Sequence, residues 1–320
     1  MSPKSINVTV GRYLMLISLY LVFPALTFAQ AWVPRQGDGA ITFGYQKLIG
    51  RDHFDFMGAR AKVGTDRAQS VQTDFEYGIT NKLAFNADLV FVASKYNGAF
   101  PEGPLDFDGR YHATFQDSHF QLRYNMRRAP VVLTPFVSVT VPTHEYEVSG
   151  HNAAGRHFGE LLIGVNAGRQ LGRILRNVYV EGRYSYAILK HYAGLNLNRS
   201  NVDWEVGWLT TRRLTLRFIG AAQTTHGGLK APIDFDEPGS EQFEFHDRVL
   251  KAIYFRLGGG GTFSLNKVID VHIGYVGTVS GKNGLAINGF GIGFSWKFFK
   301  RRDISKLSST NSLLIARSNP

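Results

Sequence analysis

The chain has 320 residues, 44% of them hydrophobic, with 35 glycines and no cysteine, which excludes a disulfide-stapled scaffold. A bundle of membrane-spanning helices needs runs of about 20 apolar residues, and only the N-terminus carries one. A formal charge of +11 raises nucleic acid or an acidic substrate as a partner, and the placement of the charges decides that question.

Residues 1–31 read as an export signal peptide. Lys4 and Arg12 supply a positive region, Tyr13 to Phe28 an apolar core, and Ala29-Gln30-Ala31 a small-x-small cleavage site. Cleavage after Ala31 leaves Trp32 first, and cleavage after Ala29 satisfies the same rule. An uncleaved membrane anchor competes with this reading, because the core is long for a signal and contains Pro24.

From Asp38 onward the chain alternates with period two. Val71, Thr73, Phe75, Tyr77 and Ile79 fall on one face of a strand, with Ser70, Gln72, Asp74, Glu76 and Gly78 on the other. Leu83, Phe85, Ala87, Leu89 and Phe91 repeat the split against Ala84, Asn86 and Asp88. Val202, Trp204, Val206 and Trp208 repeat it against Asn201, Asp203, Glu205 and Gly207. The pattern predicts about twelve strands, near 38–49, 68–79, 83–94, 112–125, 131–142, 157–168, 178–189, 199–210, 214–225, 248–263, 268–280 and 285–299. About 12 residues in a strand tilted by about 45° rise about 28 Å, enough for the apolar band of a membrane barrel.

The connections alternate in length. Short turns fall at Thr80 to Lys82, Met126 to Pro130, Arg169 to Asn177, Thr210 to Arg213 and Ser264 to Lys267. Long polar loops fall at Gly50 to Arg67, Lys95 to Tyr111, Thr143 to Arg156, Lys190 to Asn198 and Thr225 to Asp247, and only Gly281 to Gly284 is short on that side. Short periplasmic turns and long outer loops are the habit of outer-membrane barrels. The expected fold is therefore all-β: a transmembrane antiparallel up-and-down barrel over 32–299 in a Gram-negative outer membrane, followed by a polar basic tail, 300–320.

Gly293-Phe294-Ser295-Trp296-Lys297-Phe298 resembles the C-terminal sorting motif read by the outer-membrane assembly machinery, with Gly293, Trp296 and Phe298 as its key positions. An ordinary amphipathic strand would also alternate aromatics, and here Lys300 to Pro320 follows a motif that often ends the chain. Tyr45, Tyr77, Tyr124, Trp208, Trp296 and Phe298 are expected near strand ends facing outer-membrane lipid, where rings with a polar edge favour the headgroup level.

Lys82, Arg127, Arg128, Arg169, Arg173, Arg176, Arg212, Arg213 and Lys267 collect at the short turns without an acid among them, a ring suited to lipid phosphates or to solvent. The predicted lumen is mixed. Asp74, Glu76, Asp88, Asp117, Glu160, Glu181, Asp203, Glu205 and Asp270 face inward with Arg123, Arg183, Arg217 and Arg256, and His119 and His272 join them. Basic charge at turns and acid in the lumen argue against nucleic acid. Isolated buried charges are costly, so pairing across strands is expected.

Catalytic and metal constellations are weak. Asp117-Ser118-His119 has the residue types of a nucleophile, base and acid, but adjacent strand residues point to opposite faces. His144-Glu145, His151 and His157 would meet at a metal only if their loop folds back. Asp234-Phe235-Asp236-Glu237 lacks the spacing of a calcium loop. No catalytic, cofactor or metal residue is assigned, and an enzyme is not expected. Gly258 to Gly261, with Gly274, Gly289, Gly291 and Gly293, suits barrel closure, or a thin wall where an apolar solute leaves sideways.

Three stretches carry a family resemblance: Ala31-Trp32-Val33-Pro34 with Gly37 to Gln46, Phe75-Glu76-Tyr77-Gly78-Ile79-Thr80-Asn81-Lys82-Leu83, and Thr134 to Thr143. They resemble the outer-membrane barrels grouped as the meta-pathway phenol-degradation, transporter-like family. The resemblance implies passive transport of a small apolar or aromatic solute with no catalytic residues. A non-conducting structural or surface-interaction barrel is the alternative, and an outer-membrane hydrolase stands behind both.

Overall fold

The computed structural model describes residues 30–300 except 63, 100, 102, 173 and 230–245. Residues 1–29 of the expected signal, the acidic stretch at 234–237, Arg173 and the tail from 301 lie outside the described residues.

One antiparallel sheet closes on itself. Its strands are β1 (Gly39–Phe54), β2 (Arg60–Ala61), β3 (Gly64–Gly78), β4 (Leu83–Gly98), β5 (His112–Phe115), β6 (Ser118–Tyr124) and β7 (Val132–Val141). They continue with β8 (Glu160–Gln170), β9 (Val178–Leu189), β10 (Arg199–Leu209), β11 (Leu214–Thr225), β12 (Ile253–Ser264), β13 (Ile269–Lys282) and β14 (Gly284–Phe298). β2 is a short pairing at the tip of β1, and β5 and β6 both pair with β4 as two halves of one interrupted stave. The result is a closed 12-strand barrel, completed by β1 against β14 from Gly39↔Phe298 to Phe54↔Gly284.

The alternation in the letters becomes two surfaces. Val71, Phe91, Ile163, Phe218, Ile273 and Phe294 are exposed on the outside, while Gln72 lines a lumenal cavity and Ser138, Asn166 and Ser295 are buried behind the wall. Closure satisfies the main-chain groups that lipid cannot. Three of the short turns are locked by one device, a side-chain oxygen at the first position accepting two later amides. Thr80 Oγ1 accepts from Lys82 and Leu83, Thr211 Oγ1 from Arg213 and Leu214, and Asn266 Oδ1 from Val268 and Ile269, all at 2.8–3.1 Å.

Several expectations need correction. β1, β3 and β4 run past the predicted ends into the long-loop side, to Phe54, from Gly64 and to Gly98. The fourth strand breaks at Gln116 and Asp117, where the Asp88 carboxylate, not a main-chain carbonyl, accepts the His119 amide at 3.2 Å. Residues 248–252 of the predicted tenth strand are not strand. A short helix, α1 (His246–Val249), leads into Leu250, because Val249 and Leu250 pack with Phe158, Leu189, Leu197 and Leu229 above the barrel. Tyr45 lies mid-strand and not at an end. The glycine run is no lateral opening: Gly258 to Gly261 pair continuously with β11 and with Val276 to Ile273 of β13.

Candidate functional site

The site is the lumen, and the chain enters it at both ends. At the periplasmic end Gln30, Ala31 and Trp32 lie inside the wall. Arg123 on β6 is fully buried and spreads its guanidinium over four partners: Glu76 on β3, Asn86 Oδ1 at 3.0 Å, the Gln30 carbonyl at 2.6 Å and the Trp32 carbonyl at 3.5 Å. A buried arginine tolerates its place only when its fork of donors is satisfied in this way. Thr134 Oγ1 donates to the Ala31 carbonyl at 2.6 Å, and Gln121 to the Gln30 side chain at 3.2 Å. Gly168 leaves the room that Ala31 and Trp32 occupy, and the Trp32 ring meets Tyr179 edge-on at 5.9 Å.

At the outer end the loop between β7 and β8 folds inward. Asp106, from the loop between β4 and β5, accepts the amides of His151 and Asn152 at 2.9 Å each. Ser94 donates to the Asn152 carbonyl, and Gln116 to that of Ala154. Ala154 packs on Leu48, Ala68, Val92, Leu285 and Ile287 of the wall. Arg248 reaches the Arg156 carbonyl at 2.6 Å while lying over the Phe158 and Tyr192 rings. Burial would raise the Glu147 carboxyl, but bonds from the Ser149 hydroxyl and the amides of Ser149 and Val148 hold it below its ordinary value. Burial and the Asp117 charge push the Tyr146 phenol up, so it stays a donor to Asp117.

Between the closures lies a cavity of about 170 Å³. Asp74, Asp88, His119, Glu160, Arg183, Asp203 and Arg256 line it. A second space of about 400 Å³ beside Trp32 is lined by Glu181, Glu205, Arg217 and His272. Of the other sequence-selected residues, Glu76 pairs with Arg123, and Asp270 with Lys297 at 3.0 Å. His272 sits in a chain of hydroxyls, 3.0 Å from Thr262 and 2.7 Å from Ser295, which in turn meets Thr42.

The arginines of the cavity stand on one side of the barrel, with Glu160 and Asp203 among them. Asp74 and Asp88 stand opposite one another on β3 and β4, the second and third staves, with His119 at 2.9 Å from Asp88. Arg183, Arg199 and Arg256 stand on β9, β10 and β12, the seventh, eighth and tenth, across the lumen. Arg199 pairs with Glu160, Arg183 faces Asp203, and Arg183 and Arg256 lie over the rings of Phe136 and Tyr254 at 4.1 and 4.0 Å. Of the two acids on β10, only Asp203 faces Arg183. Glu205 instead opposes Glu181 and is held by Tyr179 and, at 3.7 Å, Arg217.

Ser118, Asp117 and His119 do not assemble into a relay: Asp117 takes the Tyr146 hydroxyl and His119 takes Asp88. The loop histidines also separate. His157 and His144 stay together near the surface, whereas His151 turns inward and joins His53 and Asp66, ligand-type atoms of all three lying within 4.8 Å of one another. That cluster comes from three distant segments with no local spacing to reveal it.

No protein-family model matches the chain, and no curated protein matches it in sequence. Among solved structures, the COG4313 outer membrane channel from Pseudomonas putida F1 superposes with a TM-score of 0.65 at 11% identity, over 87% of this chain and 100% of that one. Shallower likenesses include the translocator domain of the autotransporter NalP from Neisseria meningitidis (TM-score 0.47, 11% identity, 83% and 90%) and the toluene transporter TodX of P. putida (0.42, 10%, 85% and 92%). The fold is that of a bacterial outer-membrane barrel.

Proposed function

We propose that this barrel is a gated channel for small solutes bearing polar groups, seen in a closed state. The carrying observation is the charged cavity in the lumen, with Asp74 and Asp88 on β3 and β4 and, on the far side, the arginines of β9, β10 and β12 accompanied by Glu160 and Asp203. Fixed charges of opposite sign across a narrow passage orient a dipolar molecule and strengthen its binding relative to water. An aromatic solute with hydroxyl or carboxyl substituents meets this lining, whereas a bare hydrocarbon would strip the charges of water without replacing it. This lining supports the polar-substituted members of the solute class that the family resemblance implies.

The double closure also favours a second reading, a barrel that conducts nothing. Planar bilayers separate the two. Refolded chains beginning at Gln30 or at Gly37 are compared for conductance and for uptake of labelled phenols into liposomes, with heat-modifiable migration as the check on folding. A gated channel conducts more without its inserted segment. Equal silence of both chains, each folded, establishes the closed structural barrel.

A further inference from the structure

His53 lies near the outer end of β1, Asp66 near the start of β3 and His151 in the inserted loop, and each is at most 1% exposed. Asp66 presents one oxygen to each imidazole: Oδ2 is 3.6 Å from His53 Nε2, and Oδ1 is 3.2 Å from His151 Nδ1. The two rings stand 5.7 Å apart at 76°, so they approach the carboxylate from different directions. Among the described residues neither Asp66 oxygen accepts a hydrogen bond of good geometry, an expensive state for a buried carboxylate. Ligand atoms about 2.0–2.2 Å from a shared tetrahedral zinc stand about 3.3–3.6 Å from one another, and here the two carboxylate–imidazole distances are 3.6 and 3.2 Å with all three ligand-type atoms within 4.8 Å.

The arrangement is held before any ion arrives. Tyr96 stacks on the His151 ring at 3.9 Å with planes 5° apart, and Asp106 fixes the backbone of His151 and Asn152. Two imidazoles and one carboxylate are a donor set for borderline transition metals, whereas calcium and magnesium take oxygen ligands.

We propose that His53, Asp66 and His151 bind a divalent transition-metal cation of the zinc class and that the ion fastens the inserted loop to the barrel wall. Two ligands belong to staves and one to the loop, so binding adds a bond between closure and wall. That the fastened loop holds the lumen shut rests on the gated-channel reading above, while the binding site itself does not.

The test titrates the refolded full barrel with Co²⁺ and follows visible absorption, then displaces it with Zn²⁺. One equivalent of Co²⁺ is expected, displaced by Zn²⁺, with affinity falling at least about 100-fold in His151→Ala and in Asp66→Asn. The first variant changes a loop and the second is isosteric, so both should keep heat-modifiable migration. Absence of stoichiometric Co²⁺ binding, or undiminished binding in both folded variants, overturns the site. Hydrogen exchange of residues 142–159 with and without Zn²⁺ reads the fastening directly, and unchanged protection overturns that part. If Zn²⁺ binds as expected yet leaves conductance unaltered, the gating reading fails and the site stands.

Discussion

Arg183 on β9 stands directly opposite Asp203 on β10, with its guanidinium over the Phe136 ring and one donor on Gln121 at 3.1 Å. These contacts tie four staves together, β6, β7, β9 and β10. Removing the arginine leaves Asp203 with less compensation, a loss of about 3–5 kcal/mol where the site is buried. Arg183→Ala is therefore expected to lower unfolding stability by that order, and Arg183→Ala with Asp203→Ala to recover part of it. A single variant as stable as the parent in urea unfolding would show that water screens the pair.

Arg123 governs the inserted N-terminal segment. Arg123→Gln keeps hydrogen-bonding capacity but gives up most of the fork that spans Glu76, Gln30 and Trp32. The expected outcome is faster proteolysis of residues 30–36 from the periplasmic side and higher conductance. Protection equal to the parent would place the anchoring elsewhere, on Thr134 or Trp32.

The same contacts bear on export processing. A chain cut after Ala29 keeps the Gln30 and Ala31 carbonyls as acceptors for Arg123 and Thr134, and a chain cut after Ala31 loses both. N-terminal mass analysis of protein from outer membranes is expected to give Gln30, or its cyclised form, as the first residue. Trp32 as the first residue would refute this.

Glu147 makes the outer closure acid-sensitive. Its carboxyl is held below the ordinary value of 4.5, so the folded loop favours the ionised form. The contribution is present above that value and is lost as pH falls through the lowered folded one. Amide protection at Val148 and Ser149 should hold at mildly acidic pH and fall below the usual carboxylate range, and Glu147→Gln should flatten that dependence. A pH-independent profile in the parent would exclude Glu147 as the cause.

For assembly, the final strand is expected to act as the sorting element. Trp296→Ala with Phe298→Ala should reduce the heat-modifiable form in outer membranes, while deletion of 301–320 should leave it intact. The opposite pattern would assign recognition to the tail. Phe298 stacks near Phe75 and Tyr77 at 6.3 and 6.4 Å on the outer wall, so stability of the refolded double variant must be measured beside its assembly.

The barrel was legible because a wall with lipid on one side and water on the other writes its period into the letters. Val178 to Leu189 and Leu214 to Thr225 coincide with the predicted strands for that reason. Past the lipid band the period fades, with His53 and Phe54 buried in succession, so the pattern does not reveal the extensions to Phe54 and Gly98. The break at Gln116 was hidden because its repair comes from a side chain on the neighbouring stave. Neither inserted segment announces itself. Gln30 to Trp32 read as part of a cleavage region, and the inner loop is held by hydrogen bonds to Asp106 and from Ser94 and Gln116, which no spacing within the loop encodes.

Asp106 constrains any redesign of the outward-facing surface. Its carboxylate folds its own loop through the Gly103 amide and at the same time seats His151 and Asn152 of the neighbouring one. The two loops are thus one unit, and an epitope or tag spliced between Gly103 and Asp106 would unseat a segment more than forty positions downstream in the chain. The turn at Thr211 is the more permissive place for an insertion on the periplasmic side: its side-chain lock is local, and its tie to the neighbouring turn is the Ser264 amide on the Arg213 carbonyl.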